Sequence, residues 1–217
     1  MPDTLAFPFL LAIALVVVGW FALGTHSNVR RGDVALKWLG QGLPLVGERT
    51  TMRWLGSSVV ELKIAKAKGA YRSAETLVVF EPRDVVFLWA LARLQGRRDL
   101  LIFRGQLTAA PSCEVEIFDP HGWTTSQKEQ QVTQKKWTRA DLPDAAALHA
   151  YYSGGQGAAL VKPLLEMAQA GGKVVRISIH RDLPNVEVHW LLPDTTAGSA
   201  QSLFDGLQQI GQRVTRG

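Results

Sequence analysis

Residues 5–23 read LAFPFLLAIALVVVGWFAL, and this stretch decides how the rest of the chain is arranged. Its nineteen residues carry no charge and are apolar except for Pro8 and Gly19. A helix of about 20 consecutive apolar residues crosses the hydrocarbon core of a bilayer. In lipid such a helix satisfies its own backbone hydrogen bonds. The stretch therefore predicts a single membrane-spanning helix, with residues 1–24 as the anchor and the lipid bilayer as a partner.

The charges on either side of the apolar stretch predict its orientation. Asp3 is the only charged side chain ahead of it, whereas Arg30, Arg31 and Lys37 follow it. Because basic residues collect on the cytoplasmic side of a membrane, we expect a signal-anchor in the cell membrane, single-pass, with a cytoplasmic C-terminal domain. The alternative is a cleaved signal peptide. Against it, the leader contains no Lys or Arg, and its apolar run exceeds the usual length of about 7–15 residues.

The composition is that of a globular protein with an excess of basic residues. Hydrophobic residues make up 47% of the chain, and the formal net charge is +5. Nucleic-acid binding would favour Lys and Arg clustered among aromatic residues. The basic residues are instead spread in pairs: Arg30 and Arg31, Arg97 and Arg98, and Lys135 and Lys136. We therefore expect no nucleic acid as a partner, because attraction to anionic lipid headgroups explains the charge.

Residues 25–56 are predicted to form an amphipathic segment next to the membrane. Asp33 is placed to cap a short helix whose apolar side includes Val34, Trp38 and Leu39. Such a helix either lies in the membrane interface or packs on the core of the domain, and the sequence favours neither. We assign five residues to the membrane interface: Trp20, Arg30, Arg31, Lys37 and Trp38.

The chain beyond this segment predicts an α+β fold, a mostly antiparallel sheet with helices. The first α/β half, residues 57–120, contains strand-like runs; they cover residues 59–64, 75–80, 99–107 and 113–119. Between them, residues 85–94 form a helix that is apolar on nearly every side. We favour burial of this helix in the core, because short buried helices are common. The alternative is that it dips into the membrane interface.

A polar stretch, residues 121–146, predicts a linker to a second α/β half, residues 147–217. This half contains a helix near 160–170, two strands, and a C-terminal helix with Ser199 as its N-cap. Both halves therefore have the order helix, strand, Pro-containing turn and strand. We interpret the similarity as a weak internal duplication of an α-β-β unit, which would build a sheet with helices on one face.

The two strands of the second half predict a hairpin and a weak metal site. Pairing Ile179 with Val188 makes one face wholly apolar. The same register brings His180 opposite Glu187, with His189 on the same face. Zinc takes three or four nitrogen, oxygen or sulfur ligands, but no fourth ligand is evident. A polar outer face is the favoured interpretation, and we expect no cofactor.

A glycine-rich turn is a weak candidate for phosphate binding. Gly154, Gly155 and Gly157 come just before the predicted helix, and main-chain amides at a helix N-terminus can bind phosphate. The stretch lacks both the GK[S/T] ending of a P-loop and the GxGxxG pattern of a dinucleotide site. The favoured interpretation is an entry turn to the helix.

No group of titratable residues in the sequence converges on a recognisable reaction. Ser57 lacks the GxSxG context of a hydrolase nucleophile. We therefore expect a membrane-anchored, non-catalytic interaction, scaffold or assembly domain with an unidentified protein partner. One alternative is a membrane-surface module that senses a lipid or another ligand. A second is a membrane-associated hydrolase of unknown class.

Overall fold

The computed structural model describes residues 3–125, 127–142, 147–196 and 199–216. The helices are α1 (Asp3–Gly40), α2 (Val86–Leu94), α3 (Lys128–Gln134), α4 (Gly157–Gln169) and α5 (Ala200–Thr215), with one 3₁₀ turn at Leu43–Leu45. The strands are β1 (Thr50–Trp54), β2 (Val59–Ile64), β3 (Tyr71–Val79), β4 (Leu100–Leu107), β5 (Glu114–Phe118), β6 (Thr138–Ala140), β7 (His149–Ser153), β8 (Val174–Ile179) and β9 (Val186–Leu191). The chain is therefore an α+β protein with one long N-terminal helix, as the sequence predicts.

The described strands form one nine-stranded antiparallel sheet in the order β1-β2-β3-β4-β9-β8-β5-β7-β6. Both predicted halves contribute to this single sheet. The sheet does not show the internal duplication. In the second half, β8 and β9 pair directly with each other. The corresponding strands of the first half, β4 and β5, do not pair, because β9 and β8 lie between them in the sheet.

The main hydrophobic core lies between one face of the sheet and three helices. α4, α5 and the second half of α1 supply buried residues to it. Two long side chains tie the sheet to these helices: the Trp190 indole donates to the carbonyl of Ala168 at 2.7 Å, and the Tyr71 hydroxyl donates to the carbonyl of Leu207 at 2.7 Å. Alternate residues of each strand face this core because successive side chains of a strand point to opposite faces.

The N-terminal helix is longer than the sequence predicts. It runs without interruption from Asp3 to Gly40, so the separate short helix expected to begin at Asp33 is wrong. The physical reason is that residues 24–39 contain no proline and include strong helix formers. Backbone hydrogen bonding therefore continues past the end of the apolar stretch.

Four of the described helices and strands escape the sequence prediction because their patterning is weak: β1, α3, β6 and β7. β1 is an edge strand that is exposed along most of its length, so it lacks the alternation that a half-buried strand shows. The polar stretch 121–146 contains α3 and β6, and β6 extends the sheet by pairing with β7. Residues 126 and 143–146 of that stretch lie outside the described residues.

The β8–β9 hairpin forms as predicted, but its predicted register is wrong by two residues. Ile179 pairs with Val186, and Ile177 pairs with Val188. The turn closes earlier than expected because the His180 amide donates to the carbonyl of Asn185, and the Asn185 side chain donates to the carbonyl of Arg181 at 3.0 Å. A shift of two residues keeps every side chain on its predicted face.

Candidate functional site

The second half of α1 docks on the sheet domain through one buried stripe. The stripe comprises Gly24, Asn28, Gly32, Ala35 and Leu39, at spacings of three or four residues. Residues at this spacing share one face of a helix. Trp38 is also buried in the core, so its assignment to the membrane interface is wrong, and the alternative of packing on the domain is the one observed.

Glycines let α1 approach the domain closely. A Cβ at Gly24 would overlap the carbonyl group of Arg83, and a Cβ at Gly32 would lie 2.6 Å from the indole ring of Trp54. Real Cβ atoms do not make such contacts, so a side chain at either glycine would push the helix away from the domain.

Asn28 fastens α1 to the segment that leads into α2. Its side chain is buried, and Nδ2 donates to the carbonyl of Glu81 at 3.2 Å and to Oγ of Ser58 at 3.3 Å. Its Oδ1 accepts a hydrogen bond from Arg83 at 3.2 Å. A buried amide is stable only when its polar atoms have partners, and here the partners come from two segments that converge on α1: the turn before β2 and the segment between β3 and α2.

A cluster of charged side chains lies next to Asn28, where α1 meets α2 and the segment before it. We call this region the α1–α2 junction. The Glu81 carboxylate is buried and accepts from the Trp89 indole at 2.7 Å and from Arg93 at 3.2 Å. Arg83 binds Asp99 through two hydrogen bonds, of 2.9 and 3.0 Å. Paired N–H groups of arginine hold a carboxylate in a defined orientation. The cluster thus fixes the start and the middle of α2 against the domain.

α2 is not buried, which contradicts the favoured sequence prediction. Among its side chains only Ala92 is buried, and its five largest aliphatic and phenyl side chains are between 42% and 86% exposed. They are Val86, Phe87, Leu88, Leu91 and Leu94. The reason is that the side chains of Trp89 and Arg93 bind Glu81 and that of Ala92 is buried against the domain, so the remaining apolar residues point outward. Such a contiguous apolar surface marks an interaction site.

α2 lies beside the end of the apolar segment of α1, residues 5–23. The Trp20 and Trp89 rings are 6.2 Å apart between centroids, and the Trp20 indole donates to the carbonyl of Arg83 at 2.9 Å. From Phe7 onward α1 is long and apolar enough to span a membrane. Its most apolar 18 residues have a mean hydropathy of 2.4, and only 6% of them are buried. The helix that carries the exposed apolar face therefore adjoins the end of the apolar segment.

A groove of about 950 Å³ opens between α1, the segments just before and after α2, and the end of β9. We call it the basic groove. Five arginines line it, against three carboxylates: Arg30, Arg31, Arg83, Arg93 and Arg98, with Glu81, Asp99 and Asp194. Leu23, the last residue of the apolar segment, is also part of its wall. An excess of guanidinium groups suits it to bind an anion.

The structure places the predicted interface residues in different surroundings. Trp20 lies at the α1–α2 junction, and Arg30 and Arg31 line the basic groove. Lys37 is exposed on α1, farther from the apolar segment. The sequence thus identified two groove arginines but missed Arg83, Arg93 and Arg98, which only the fold brings to α1.

A second group of charges lies on the face of the sheet opposite the main core. Arg176 is central to it, donating to Glu116 at 2.7 Å and to Glu187 at 2.7 Å. His180 contacts Glu116 at 3.1 Å, and His189 contacts Glu187 at 2.7 Å. Each of these carboxylates therefore has a cationic partner on a neighbouring strand.

The surroundings of the two carboxylates keep them ionised. Burial alone would raise the pKa of Glu187, but the hydrogen bond from His189 and the charge of Arg176 outweigh it and lower the pKa to about 2. Burial opposes ionisation of Glu116 as well, yet the hydrogen bond from His180 and the charge of Arg176 lower its pKa. Burial and the charge of Arg176 lower the pKa of the nearby Lys128.

The proposed metal trio does not form a metal site. His180 is not opposite Glu187, which instead pairs with Ser178, and His189 pairs with Arg176. The Arg176 guanidinium occupies the space between the carboxylates, where a cation would have to bind. Among the described residues, no group of three His, Cys, Asp or Glu side chains could hold a metal ion.

Two of the three glycines considered for phosphate binding, Gly154 and Gly157, allow a tight turn or close packing in this structure. Gly154 has a positive φ of 101°, and α4 begins at Gly157. A Cβ at Gly157 would lie 2.7 Å from the side chain of Tyr152, so glycine permits the tight turn from β7 into α4. Phosphate binding by this turn stays a prediction.

The residues that fasten α1 to the domain carried only a faint signal in the sequence. Asn28 lies four residues from both Gly24 and Gly32, so a polar residue within a small-residue stripe was visible. Its partners Glu81 and Arg83 are distant in sequence and carried no signal.

No protein-family model matches this chain, and no curated protein matches it. The fold and the geometry of the α1–α2 junction therefore carry the functional argument.

Proposed function

We propose that this protein is a membrane-bound, non-catalytic interaction module, held on the bilayer by the spanning helix α1 and by the interfacial helix α2. The contact between Trp20 and Trp89 carries the proposal, because it places α2, with its exposed apolar side chains, at the end of the apolar segment. Indole rings favour the headgroup level of a membrane. A helix that exposes five large apolar side chains at that level binds lipid through them.

The dimensions of α1 support this arrangement. Residues 5–23 span about 28 Å at about 1.5 Å per residue, close to the hydrocarbon thickness of about 30 Å. Trp20 is one turn from the end of that segment, so α2 lies at the depth of the headgroups and the first acyl carbons. The Arg93, Arg97 and Arg98 side chains at the end of α2 are exposed and suit the aqueous edge of the interface.

Insertion of α2 is tested with a fluorescent label whose emission depends on polarity. The one native cysteine, Cys113, is buried, so a Leu88→Cys variant of the full chain is labelled selectively in the folded state. In phosphatidylcholine vesicles we expect the emission of this label to be shifted to the blue relative to its emission in water. Lipids with spin-labelled acyl chains should quench it, because the label lies close to those chains.

Leu183→Cys is the matched control, since Leu183 is an exposed leucine in the β8–β9 turn, at the far end of β9 from the groove. Its label is expected to remain in water and unquenched. Equal emission and equal quenching at the two positions would contradict the proposed attachment.

We further propose that the domain faces the cytoplasm of a cell whose plasma membrane holds α1. The basic residues Arg30, Arg31 and Lys37 after the apolar segment support this orientation. The Leu183→Cys variant tests it with a maleimide that does not cross membranes. We expect labelling only after the cells are permeabilised, and labelling of intact cells would reverse the orientation.

A further inference from the structure

The five arginines of the basic groove are not equally neutralised. Arg83 is bound by Asp99, and Arg93 is bound by Glu81. Arg31 lies 3.5 Å from Asp99 but is half exposed. Arg30 and Arg98 have no carboxylate partner among the residues that the structure describes, and the groove therefore holds two cations that are free to bind an anion.

Arg98 is oriented by the main chain rather than by an acidic side chain. One nitrogen of its guanidinium donates to the carbonyl of Arg97 at 2.6 Å. Arg30 lies across the groove on α1, one helical turn beyond His26, which also lines the wall. Two guanidinium groups that line the same groove can both bind one phosphate.

The basic groove continues into a smaller, apolar crevice of about 270 Å³ between α1 and α2. Trp20 and Trp89 line the crevice, and Leu23, Ser27 and Arg83 belong to both cavities. An apolar cavity that leads directly into a basic one matches an amphiphile with an anionic head. The crevice opens at the end of the apolar segment, where the glycerol backbone of a bilayer lipid would lie.

We propose that the basic groove and the crevice together bind one anionic glycerophospholipid. Arg30 and Arg98 bind its phosphate, and the crevice holds its glycerol backbone and the first acyl carbons. The proposal rests on the proposed function, because it requires the α1–α2 junction to lie at the membrane surface. It adds a ligand class to that function: a phosphate ester with acyl chains, rather than a zwitterionic lipid or a soluble anion.

Native mass spectrometry of the full chain in detergent micelles tests the proposal. The protein is mixed with equal amounts of phosphatidylglycerol and phosphatidylcholine, and the bound lipids are counted. We expect wild type to retain phosphatidylglycerol in preference to phosphatidylcholine. In the variant Arg30→Gln/Arg98→Gln the preference should fall about tenfold, because two cations near an anionic lipid are lost.

The matched control removes two exposed arginines elsewhere on the domain, Arg72→Gln/Arg213→Gln. This control should keep the wild-type preference. The proposal is overturned if the groove variant keeps its preference, or if the control loses as much. The single variants Arg30→Gln and Arg98→Gln, each expected to lose about threefold, keep the test decisive should the double variant fail to fold.

A competition experiment separates a lipid from a soluble phosphate. Inorganic phosphate added at high concentration should leave phosphatidylglycerol bound, because it gains nothing from the crevice. Displacement by inorganic phosphate would assign the groove to a soluble anion and overturn the lipid proposal. The lipid preference is measured in micelles and does not require α2 to insert into a bilayer. If the preference is intact but the label at Leu88→Cys stays in water, the result counts against the proposed membrane attachment alone.

Discussion

Trp20 and Trp89 lie with their ring centroids 6.2 Å apart, one on the apolar segment of α1 and the other on α2. Around this contact the Trp20 indole binds the carbonyl of Arg83, and the Trp89 indole binds the Glu81 carboxylate. The two rings thus join the long helix, the short apolar helix and the charged cluster of the domain. Changes at this junction should therefore affect domain stability and membrane attachment together.

Replacing Gly24 should separate α1 from the domain. In Gly24→Leu the new side chain would overlap the main chain of Arg83, and overpacking of this kind costs about 1–3 kcal/mol. We expect the free energy of unfolding in micelles to fall by that amount. Guanidinium unfolding followed by tryptophan fluorescence measures it.

Gly19→Leu is the matched control for that substitution. No atom lies within 4 Å of a Cβ at Gly19, so the added side chain faces detergent or lipid. Both substitutions replace a helical glycine by leucine and raise helix propensity equally. The free energy of unfolding of the Gly19→Leu control should therefore not fall. If both variants unfold alike, the close approach at Gly24 is not important for docking.

The Glu81 carboxylate should be the strongest single attachment of α2. In Glu81→Gln the indole of Trp89 keeps an acceptor, but Arg83 and Arg93 lose a buried negative charge. Hydrogen bonds to a charged group contribute about 1.5–3 kcal/mol. We expect a loss of that size, and faster tryptic cleavage at the exposed Arg97 and Arg98 as α2 detaches.

An exposed pair provides the comparison for Glu81. Glu48 lies 3.2 Å from Lys68, and both side chains are about half exposed or more. Solvent-exposed pairs contribute about 0–1 kcal/mol, so Glu48→Gln should change neither the free energy of unfolding nor the cleavage rate much. Equal losses in the two variants would show that burial at the α1–α2 junction is unimportant.

The carboxylate of Glu187 should make the domain sensitive to acid. Its pKa in the folded state is lowered to about 2 from the ordinary value of 4.5. A lowered pKa stabilises the folded state above pH 4.5, and that stabilisation is lost as the pH falls towards about 2. Glu187→Gln should therefore unfold more easily at neutral pH and lose less stability in this acid range.

The pH dependence is measured as the free energy of unfolding at several pH values between 7 and 2. Glu166→Gln serves as the control, because Glu166 is an exposed residue of α4 beside Lys162. That variant should follow the wild-type curve. An unchanged acid slope in Glu187→Gln would mean that other carboxylates dominate acid unfolding.

Local patterns were sufficient to predict most of the secondary structure. The apolar run of α1, the alternation in β2 and β8–β9, and the Ser199 cap of α5 are all visible in short windows, because helices and strands have fixed side-chain periods. The cap forms as predicted, with the Ser199 side chain accepting from the amide of Gln201 at 3.2 Å. The elements without a clear apolar period were missed: β1, α3, β6 and β7.

The candidate site could not be predicted in this way. Arg30 was identified from its place after the apolar stretch, but Arg98 belongs to the turn after α2, and only the docking of α2 brings it to α1. The face that α2 presents was also undetermined, because nearly every residue of that helix is apolar. Burial of Ala92 and the hydrogen bond from Trp89 to Glu81, a residue outside the helix, chose the face.

The sequence by itself determined that one helix is apolar enough to cross a bilayer and that an α+β domain follows it, because composition and periodicity are local properties of the chain. Only the tertiary structure decided that α1 runs on into the domain, that α2 faces outward beside its apolar segment, and that five arginines share one groove. These outcomes depend on close approach at Gly24 and on hydrogen bonds and ion pairs between distant segments. Such contacts leave no periodic trace in the sequence, because each one joins residues whose separation along the chain is arbitrary.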